Sequence, residues 1–173
     1  MSAVNPSDLV SLKPAFFIHL DLAEPDAVVN NAKGTETVVM VDGGYAKSVD
    51  PETYPLDLEI TKGWDILRTF ADKPEVTNLD CDLWGKSKSN GAGVHIWYDG
   101  VVVMNEKALA VIQGGAKGFD HREAYITNHP SFQFGEGAVE ATWAKGKNFL
   151  GRGIFIRDDA GKLGIEYYVY VLE

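Results

Sequence analysis

Short segments in which hydrophobic and polar residues alternate recur along almost the whole chain, and turn residues separate them at regular intervals. The clearest segment runs from Val76 to Gly85. Hydrophobic side chains fall on one face of this predicted strand: Leu79, Cys81 and Leu83. Two carboxylates and an indole fall on the other: Asp80, Asp82 and Trp84. About eight to ten such strands are typical of an all-β sandwich or barrel, and about eight close a barrel that can hold one small ligand. We therefore predict a single antiparallel β-barrel.

The same pattern predicts the order of the elements. The predicted strands cover residues 15–22, 35–47, 56–60, 64–70, 76–85, 93–98, 101–104, 122–128, 132–134, 148–157 and 163–172. Residues 24–34 are predicted to form a loop, and Asp99-Gly100 a turn between two strands. One short helix is predicted from Glu106 to Gln113, with Asn105 as its N-cap and Gly114-Gly115 after its end.

Length and composition restrict the class of protein. The 173 residues suit one β-barrel domain over residues 1–173, in which residues 1–13 form a loose N-terminal segment. The chain has one cysteine, Cys81, so a disulfide within the chain is impossible and a reducing compartment is expected. The sequence shows neither a signal peptide nor a run of about 18 apolar residues. We therefore predict a soluble, cytoplasmic protein.

The net charge of −9 argues against two classes of partner. A nucleic-acid-binding protein carries a basic stripe, which this sequence lacks, and an anionic membrane surface would repel the acidic chain. We therefore expect no nucleic acid and no membrane as partners. A small hydrophobic or aromatic metabolite remains the expected partner.

The alternating carboxylates are the first candidate catalytic groups. Asp80 and Asp82 point the same way beside Trp84, and two neighbouring carboxylates raise each other's pKa if they are desolvated. A raised pKa suits a general base or acid near neutral pH, provided that this face of the strand looks into a closed barrel. The alternative is a solvated strand face on which Asp80 pairs with a cross-strand Lys or Arg.

His95 is the third candidate catalytic residue. It shares a face with Trp97 on the next predicted strand, so a pairing of the two strands would place it near the carboxylates. An Asp–His pair orients an imidazole for proton transfer, whereas the alternative is a partly buried structural histidine. We expect no metal and no cofactor, because the sequence has no His-x-His, no His-Glu-x-x-His, no cysteine pair and no phosphate-binding glycine loop.

Aromatic side chains are the candidate substrate-binding residues. They are Trp64, Trp84, Trp97, Tyr125, Phe132, Phe134, Trp143, Tyr168 and Tyr170. They could line a pocket for an aromatic ligand, or they could simply fill the core. Because Tyr167, Tyr168 and Tyr170 put phenols on both faces of the last strand, at least one hydroxyl is expected to need a buried partner or a ligand.

A series of motifs in a particular order is similar to a known family. The motifs are Gly63-Trp64-Asp65, Leu79-Asp80, Asp99-Gly100, Tyr125 to Phe132, Phe134-Gly135, Trp143 and Tyr167 to Val171. From about Phe16 to its C-terminus the chain resembles the domain-of-unknown-function 3237 family. The resemblance implies a closed or nearly closed barrel, like those of allene oxide cyclase and lipocalin-like proteins, and an oligomeric assembly. Asp82, Leu83 and Thr127 stand where many relatives have Arg, Tyr and Arg, which implies a different ligand.

The resemblance also implies cofactor-free cyclisation, isomerisation or elimination. We predict a cofactor-independent cyclase, isomerase or lyase of secondary metabolism that acts on a small hydrophobic oxygenated metabolite by proton transfer inside a barrel pocket. In this hypothesis Asp80 or Asp82 moves the proton with His95 as its partner. The alternatives are a lipocalin-like barrel that binds a small molecule without chemistry, and a module whose interior is filled by its own side chains.

Overall fold

The computed structural model describes residues 5–173, so the first four residues of the predicted loose N-terminal segment lie outside the described part. The strands are β1 Leu12–Leu22, β2 Asp26–Asn31, β3 Gly34–Ser48, β4 Asp57–Phe70, β5 Val76–Ser87, β6 Gly93–Val103, β7 Tyr125–Phe134, β8 Phe149–Arg157 and β9 Leu163–Leu172. The α-helix, α1, spans Glu106–Ile112, and 3-10 turns cover Pro6–Asp8 and Val139–Ala144. The predicted N-cap is confirmed, since the Asn105 side chain accepts a hydrogen bond from the backbone N–H of Ala108.

Eight of the strands form a closed antiparallel barrel, as the alternation predicted. Their order is β1-β9-β8-β7-β6-β5-β4-β3, and pairing of β1 with β3 closes the ring. Strand β2 lies outside the ring and pairs with β3 alone. Strands β7 and β8 have the fewest paired positions of any neighbours in the ring, namely Thr127 with Arg152 and Asn128 with Gly151.

Three predicted breaks between strands are wrong. Residues 24–34 contain β2, and the predicted strands 56–60 and 64–70 form one strand, β4, whose register with β5 shifts between Ile60 and Lys62. The Asp99-Gly100 turn is also absent, because β6 runs straight through it. Gly100 is required there for space, since a Cβ at this position would lie 2.3 Å from the backbone oxygen of Thr127.

The inward side chains fill the barrel in layers. At one end the 3-10 turn places Trp143 against Phe149, and Phe149 packs edge-on against Phe16 and Phe132. At the other end α1 packs on β8, where Arg157 donates to the backbone oxygen of Val111. Both ends are therefore covered, and the middle of the barrel lies between an aromatic end and a helical end.

Candidate functional site

The predicted carboxylate face lies on the outside of the barrel. Within residues 79–84 of β5 the buried side chains are Leu79, Cys81 and Leu83, and the partly exposed ones are Asp80, Asp82 and Trp84. The expectation that the two carboxylates and the indole look into an enclosed pocket is wrong. The physical reason is the period-2 geometry of the strand, since the more hydrophobic set of residues takes the core face.

Asp80 pairs with an arginine of the neighbouring strand, which is the alternative that the sequence analysis gave for a solvated strand face. Arg68 of β4 donates to its carboxylate over 2.9 Å and also donates to Glu36 over 3.0 Å. The Asp80 side chain is about half exposed, at 49%. Such an exposed, solvent-screened pair contributes little to stability.

Asp82 and His95 are brought together as predicted, but on the outer wall. The Nε2 atom of His95 lies 2.7 Å from a carboxylate oxygen of Asp82. The imidazole stacks on Trp84, with ring centres 5.1 Å apart and planes at 2°. Trp97 lies on its other side, at 5.0 Å, and Trp64 contacts Trp84 at 4.8 Å. We call this set, namely Trp64, Asp82, Trp84, His95 and Trp97, the outer aromatic surface.

The other predicted substrate-binding residues do not share one pocket. Tyr125, Tyr168 and Tyr170 point out of the barrel, and Arg152 lies over the Tyr125 ring at 5.1 Å. Phe132, Phe134 and Trp143 lie at the aromatic end of the barrel, where they pack against other aromatic rings. The prediction of a single aromatic pocket is therefore wrong, because the period of the strands divides these residues between the outside and the core.

A different carboxylate, Asp65 of β4, points into the barrel. It is 7% exposed and lines a small cavity at the helical end. All the other residues of the cavity wall are apolar: Leu22, Pro25, Val39, Leu67, Leu79, Ile112, Phe155, Leu163 and Ile165. The cavity has a volume of about 30 Å³, which is room for one or two water molecules.

The surroundings of Asp65 favour its protonated form. The pKa of this carboxyl is raised from 3.8 to about 7, chiefly by burial and to a smaller extent by the charge of Asp80. A hydrogen bond of 3.3 Å from the backbone N–H of Asp80 opposes the shift, and it is the one hydrogen bond that Asp65 accepts within residues 5–173. Asp65 can therefore exchange a proton near neutral pH, which is the property that the sequence analysis sought in Asp80 and Asp82.

Further polar side chains share the barrel interior with Asp65. Cys81 pairs with Asp65 across β4 and β5, and Tyr98 pairs with Cys81 across β5 and β6. Tyr167 of β9 and Asn128 of β7 are also fully buried. We call these five residues the lumen cluster. Desolvation raises the pKa of the Cys81 thiol, which makes it a poor nucleophile.

Glycines on β8 make room for the lumen cluster. A Cβ at Gly151 would lie 1.8 Å from a side-chain oxygen of Asn128, and one at Gly153 would lie 2.5 Å from the Tyr167 ring. The two glycines thus leave the volume that Asn128 and Tyr167 occupy. The space beside Gly153 also allows the ring of Tyr167 to reach that of Tyr98 across the barrel, with ring centres 5.9 Å apart, although two strands, β7 and β8, lie between them.

The sequence held a signal for Asp65 that the pattern analysis did not use. Asp65 belongs to Gly63-Trp64-Asp65, one of the motifs that carry the family resemblance. In the structure it is in phase with Leu67 on the buried face of β4. Because Trp64 and Ile66 lie on the other face, the alternation alone does not show which face of this strand is buried.

Two classes of site are not found in the described part of the chain. Residues 5–173 hold no group of three or more His, Cys, Asp or Glu side chains arranged to bind a metal ion. None of their helices is long and apolar enough to cross a membrane.

The fold defines the class: an eight-stranded antiparallel β-barrel whose interior is packed around a few buried polar groups. The chain belongs to the family described as Protein of unknown function (DUF3237), whose model matches residues 10–172. The predicted family is therefore confirmed. No curated protein matches the sequence.

Solved structures share this fold at low sequence identity. A conserved protein of unknown function from Rhodopseudomonas palustris has a TM-score of 0.74 and 14% identity, over 95% of this chain and 98% of that one. A β-barrel-like protein from Acinetobacter baumannii has a TM-score of 0.68 and 16% identity, over the whole of both chains. A protein from Penicillium herquei, described as an enzyme, has a TM-score of 0.61 and 11% identity, over 100% and 99%. Identities this low establish the fold alone.

Proposed function

We propose that the protein is a cofactor-independent enzyme that moves a proton on a small oxygenated, largely apolar substrate at the helical end of the barrel. The observation that carries the proposal is the carboxyl of Asp65, buried in an apolar cavity with its pKa raised to about 7. Isomerisation, cyclisation and elimination all need such a group. The description of the Penicillium herquei protein as an enzyme agrees with the proposal by analogy of fold only.

In this proposal Asp65 replaces Asp80 and Asp82 as the acid–base group. Its ionised form accepts a proton from carbon, and its protonated form returns the proton to a second position. A pKa near the working pH keeps both forms populated, and a positioned acid or base contributes about 10²- to 10⁴-fold to a rate. The apolar wall, which includes Leu79 and Phe155, excludes water and strengthens electrostatic interactions with the substrate.

The size of the cavity restricts the substrate. Drug-sized ligands occupy pockets of about 300 to 1,000 Å³, whereas this cavity has room for one or two water molecules. This difference disfavours a lipocalin-like carrier of a large apolar ligand. A substrate larger than water enters when Ile112 of α1 and the exposed Pro25, which lie at the cavity wall, move aside.

The proposal can be tested with a small ketone. Cyclopentanone in D₂O exchanges its α-protons through an enolate, and proton NMR follows the loss of the α-proton signal. We expect the wild-type protein to accelerate the exchange over buffer, with a rate that rises with pH and levels off above about pH 7 as Asp65 ionises. Ile112→Ala, which widens the mouth, is expected to raise the rate further.

Matched variants decide the outcome. Asp65→Asn is expected to reduce the exchange to the buffer rate, whereas Asp82→Asn, on the outer face of the neighbouring strand, should leave it unchanged. Equal exchange by wild type and Asp65→Asn, in both the native and the Ile112→Ala backgrounds, would refute the proposal.

The outer aromatic surface supports a second candidate function. Asp82 contacts the imidazole of His95, which lies between Trp84 and Trp97, so an aromatic ligand could stack there beside an acid–base pair. This candidate retains the catalytic roles predicted for Asp80, Asp82 and His95, but on an open surface. Loss of the ketone exchange in His95→Gln, with retention in Asp65→Asn, would favour it over the barrel interior.

A further inference from the structure

The rings of Tyr98 and Tyr167 meet inside the barrel although they come from strands that are not neighbours. Tyr98 lies on β6 and Tyr167 on β9, and β7 and β8 separate them. The rings pack edge to face at 5.9 Å because Gly153 leaves space beside Tyr167. Both side chains are at least 98% buried, so their phenols are part of the interior and not of the surface.

Neither tyrosine hydroxyl has a partner among the described residues at hydrogen-bond distance and angle. The Cys81 thiol lies near Tyr98, and Tyr98 near Tyr167, so that each affects the pKa of its neighbour, but a thiol is a weak hydrogen-bond partner. A buried polar group without a partner costs free energy, so buried Tyr hydroxyls are normally hydrogen-bonded to protein or water. Phenylalanine would fill the same volume without this cost. Two such hydroxyls in one barrel therefore require an explanation beyond packing.

The position of the two hydroxyls relates them to Asp65. Neither tyrosine lines the cavity itself: Tyr167 is the next inward residue of β9 after Ile165 of the cavity wall. Asp65, Cys81 and Tyr98 occupy successive inward positions on β4, β5 and β6, in direct cross-strand register. Burial is the largest cause of the raised pKa of both Tyr98 and Tyr167. The charge of Asp65 raises both pKa values further, for Tyr98 with a smaller effect than Cys81 and Tyr167, so both phenols lie within its electrostatic range. Both phenols thus stay protonated and remain hydrogen-bond donors at neutral pH.

We propose that Tyr98 and Tyr167, which lie in the layer of side chains next to the cavity, form a pair of hydrogen-bond donors for the oxygen of an enolate when a substrate larger than the cavity displaces its wall, so that the substrate class is an enolisable carbonyl compound. This inference rests on the proposed function, in which Asp65 is the base. It adds the group that would stabilise the charge formed when the proton leaves carbon. Preorganised donors in a water-excluded site are among the strongest contributions to such reactions.

The proposed step balances without any co-reactant. The carboxylate of Asp65 takes the α-proton, and the electron pair of the broken C–H bond forms the C=C bond of the enolate. The carbonyl π pair moves to oxygen, where Tyr98 and Tyr167 each donate one hydrogen bond and keep their protons. Protonated Asp65 then returns the proton to the same carbon or to a conjugated one, or a β-substituent leaves with the electron pair.

Binding of a phenolate tests the donor pair without requiring catalysis. The probe is 4-nitrophenol, whose anion mimics an enolate and whose absorption changes on ionisation. It is titrated into Asp65→Asn, which removes the negative charge from the interior, in the Ile112→Ala background. We expect the bound probe to ionise at a lower pH than in water. Adding Tyr98→Phe or Tyr167→Phe should weaken phenolate binding by about 10-fold or more each, because a hydrogen bond to a charged group is lost.

Tyr168→Phe is the matched control, since Tyr168 neighbours Tyr167 but faces outward. We expect it to leave phenolate binding unchanged. Loss of binding equal to that of Tyr167→Phe, or no binding of the phenolate at all, would overturn the inference. Because this assay uses a protein without the Asp65 carboxyl, its failure is distinguishable from failure of the ketone exchange.

Thermal stability separates donors for a ligand from structural tyrosines. Removing an unpartnered buried hydroxyl is expected to leave the melting temperature of Tyr98→Phe and Tyr167→Phe unchanged or raised. A lower melting temperature together with unchanged phenolate binding would show that the hydroxyls bind only internal water, and would contradict the inference.

Discussion

The two sides of the barrel wall near β4 and β5 carry similar residues in different physical environments. On the inside, Asp65 has apolar neighbours, one hydrogen bond from a backbone N–H and a pKa raised to about 7. On the outside, Asp80 and Asp82 reach solvent and have Arg68 and His95 as partners. The comparison teaches that the face of a strand, more than the presence of a carboxylate or an indole, determines what chemistry a residue can perform.

The largest expected difference between the two sides is the pH dependence of stability. The pKa of Asp65 is about 7 in the folded chain and has its ordinary value of 3.8 in the unfolded chain. Between these values the folded state holds a proton that the unfolded state has released, so stability falls as the pH rises from about 4 to 7. Above that pH the destabilisation by ionised Asp65 is complete and no longer changes. Three pKa units correspond to about 4 kcal/mol.

Urea unfolding at a series of pH values measures this effect. The difference in unfolding free energy between wild type and Asp65→Asn is expected to fall by about 4 kcal/mol from pH 4 to 7. Asp82→Asn keeps Asp65, so it should retain the wild-type fall. If the difference in unfolding free energy between wild type and Asp65→Asn does not change from pH 4 to 7, Asp65 has no raised pKa and the two faces of the barrel wall do not differ in this respect.

The next largest expected difference is in the loss of stability when two neighbouring residues of β5 are replaced by alanine. Leu83 is fully buried, and Asp82 beside it points outward. Leu83→Ala leaves a cavity in the core and is expected to cost about 2 to 5 kcal/mol of unfolding free energy. Asp82→Ala removes one member of a solvent-exposed pair and should cost about 1 kcal/mol or less. Equal costs in denaturant unfolding would show that the outer face is packed against something more than solvent.

The smallest expected effect is the coupling between Asp82 and His95. A double-mutant cycle with Asp82→Asn and His95→Gln is expected to give about 0.2 to 1 kcal/mol, decreasing with added salt. A coupling of several kcal/mol, insensitive to salt, would indicate that this pair is shielded from water in the functional state.

Much of the fold could be predicted from local patterns. The alternation in β5 gave both the strand and its two faces, and Asn105 and Gly114 marked the helix ends. The predicted turn at Asp99-Gly100 was wrong because Gly100 allows the close approach of Thr127 on the neighbouring strand. Local patterns cannot distinguish a glycine that turns the chain from one that makes room for a neighbouring strand.

The candidate site was harder to predict because it depends on distant parts of the chain. That Asp82 and His95 are neighbours followed from pairing of consecutive strands, and this part was predicted. The contact of Tyr98 with Tyr167 depends on closure of the barrel and on Gly153, which no local period reveals. Asp65 was visible in the sequence as part of a family motif, but its position in the core and its partners were not.

The most direct test of the account is an NMR titration of the Asp65 carboxyl carbon, assigned by comparison with Asp65→Asn. We expect a chemical-shift midpoint near pH 7, because the carboxyl is buried among apolar side chains. A midpoint near the ordinary Asp value of 3.8 would show that water solvates this carboxylate, and would contradict the assignment of Asp65 as the proton-transfer group.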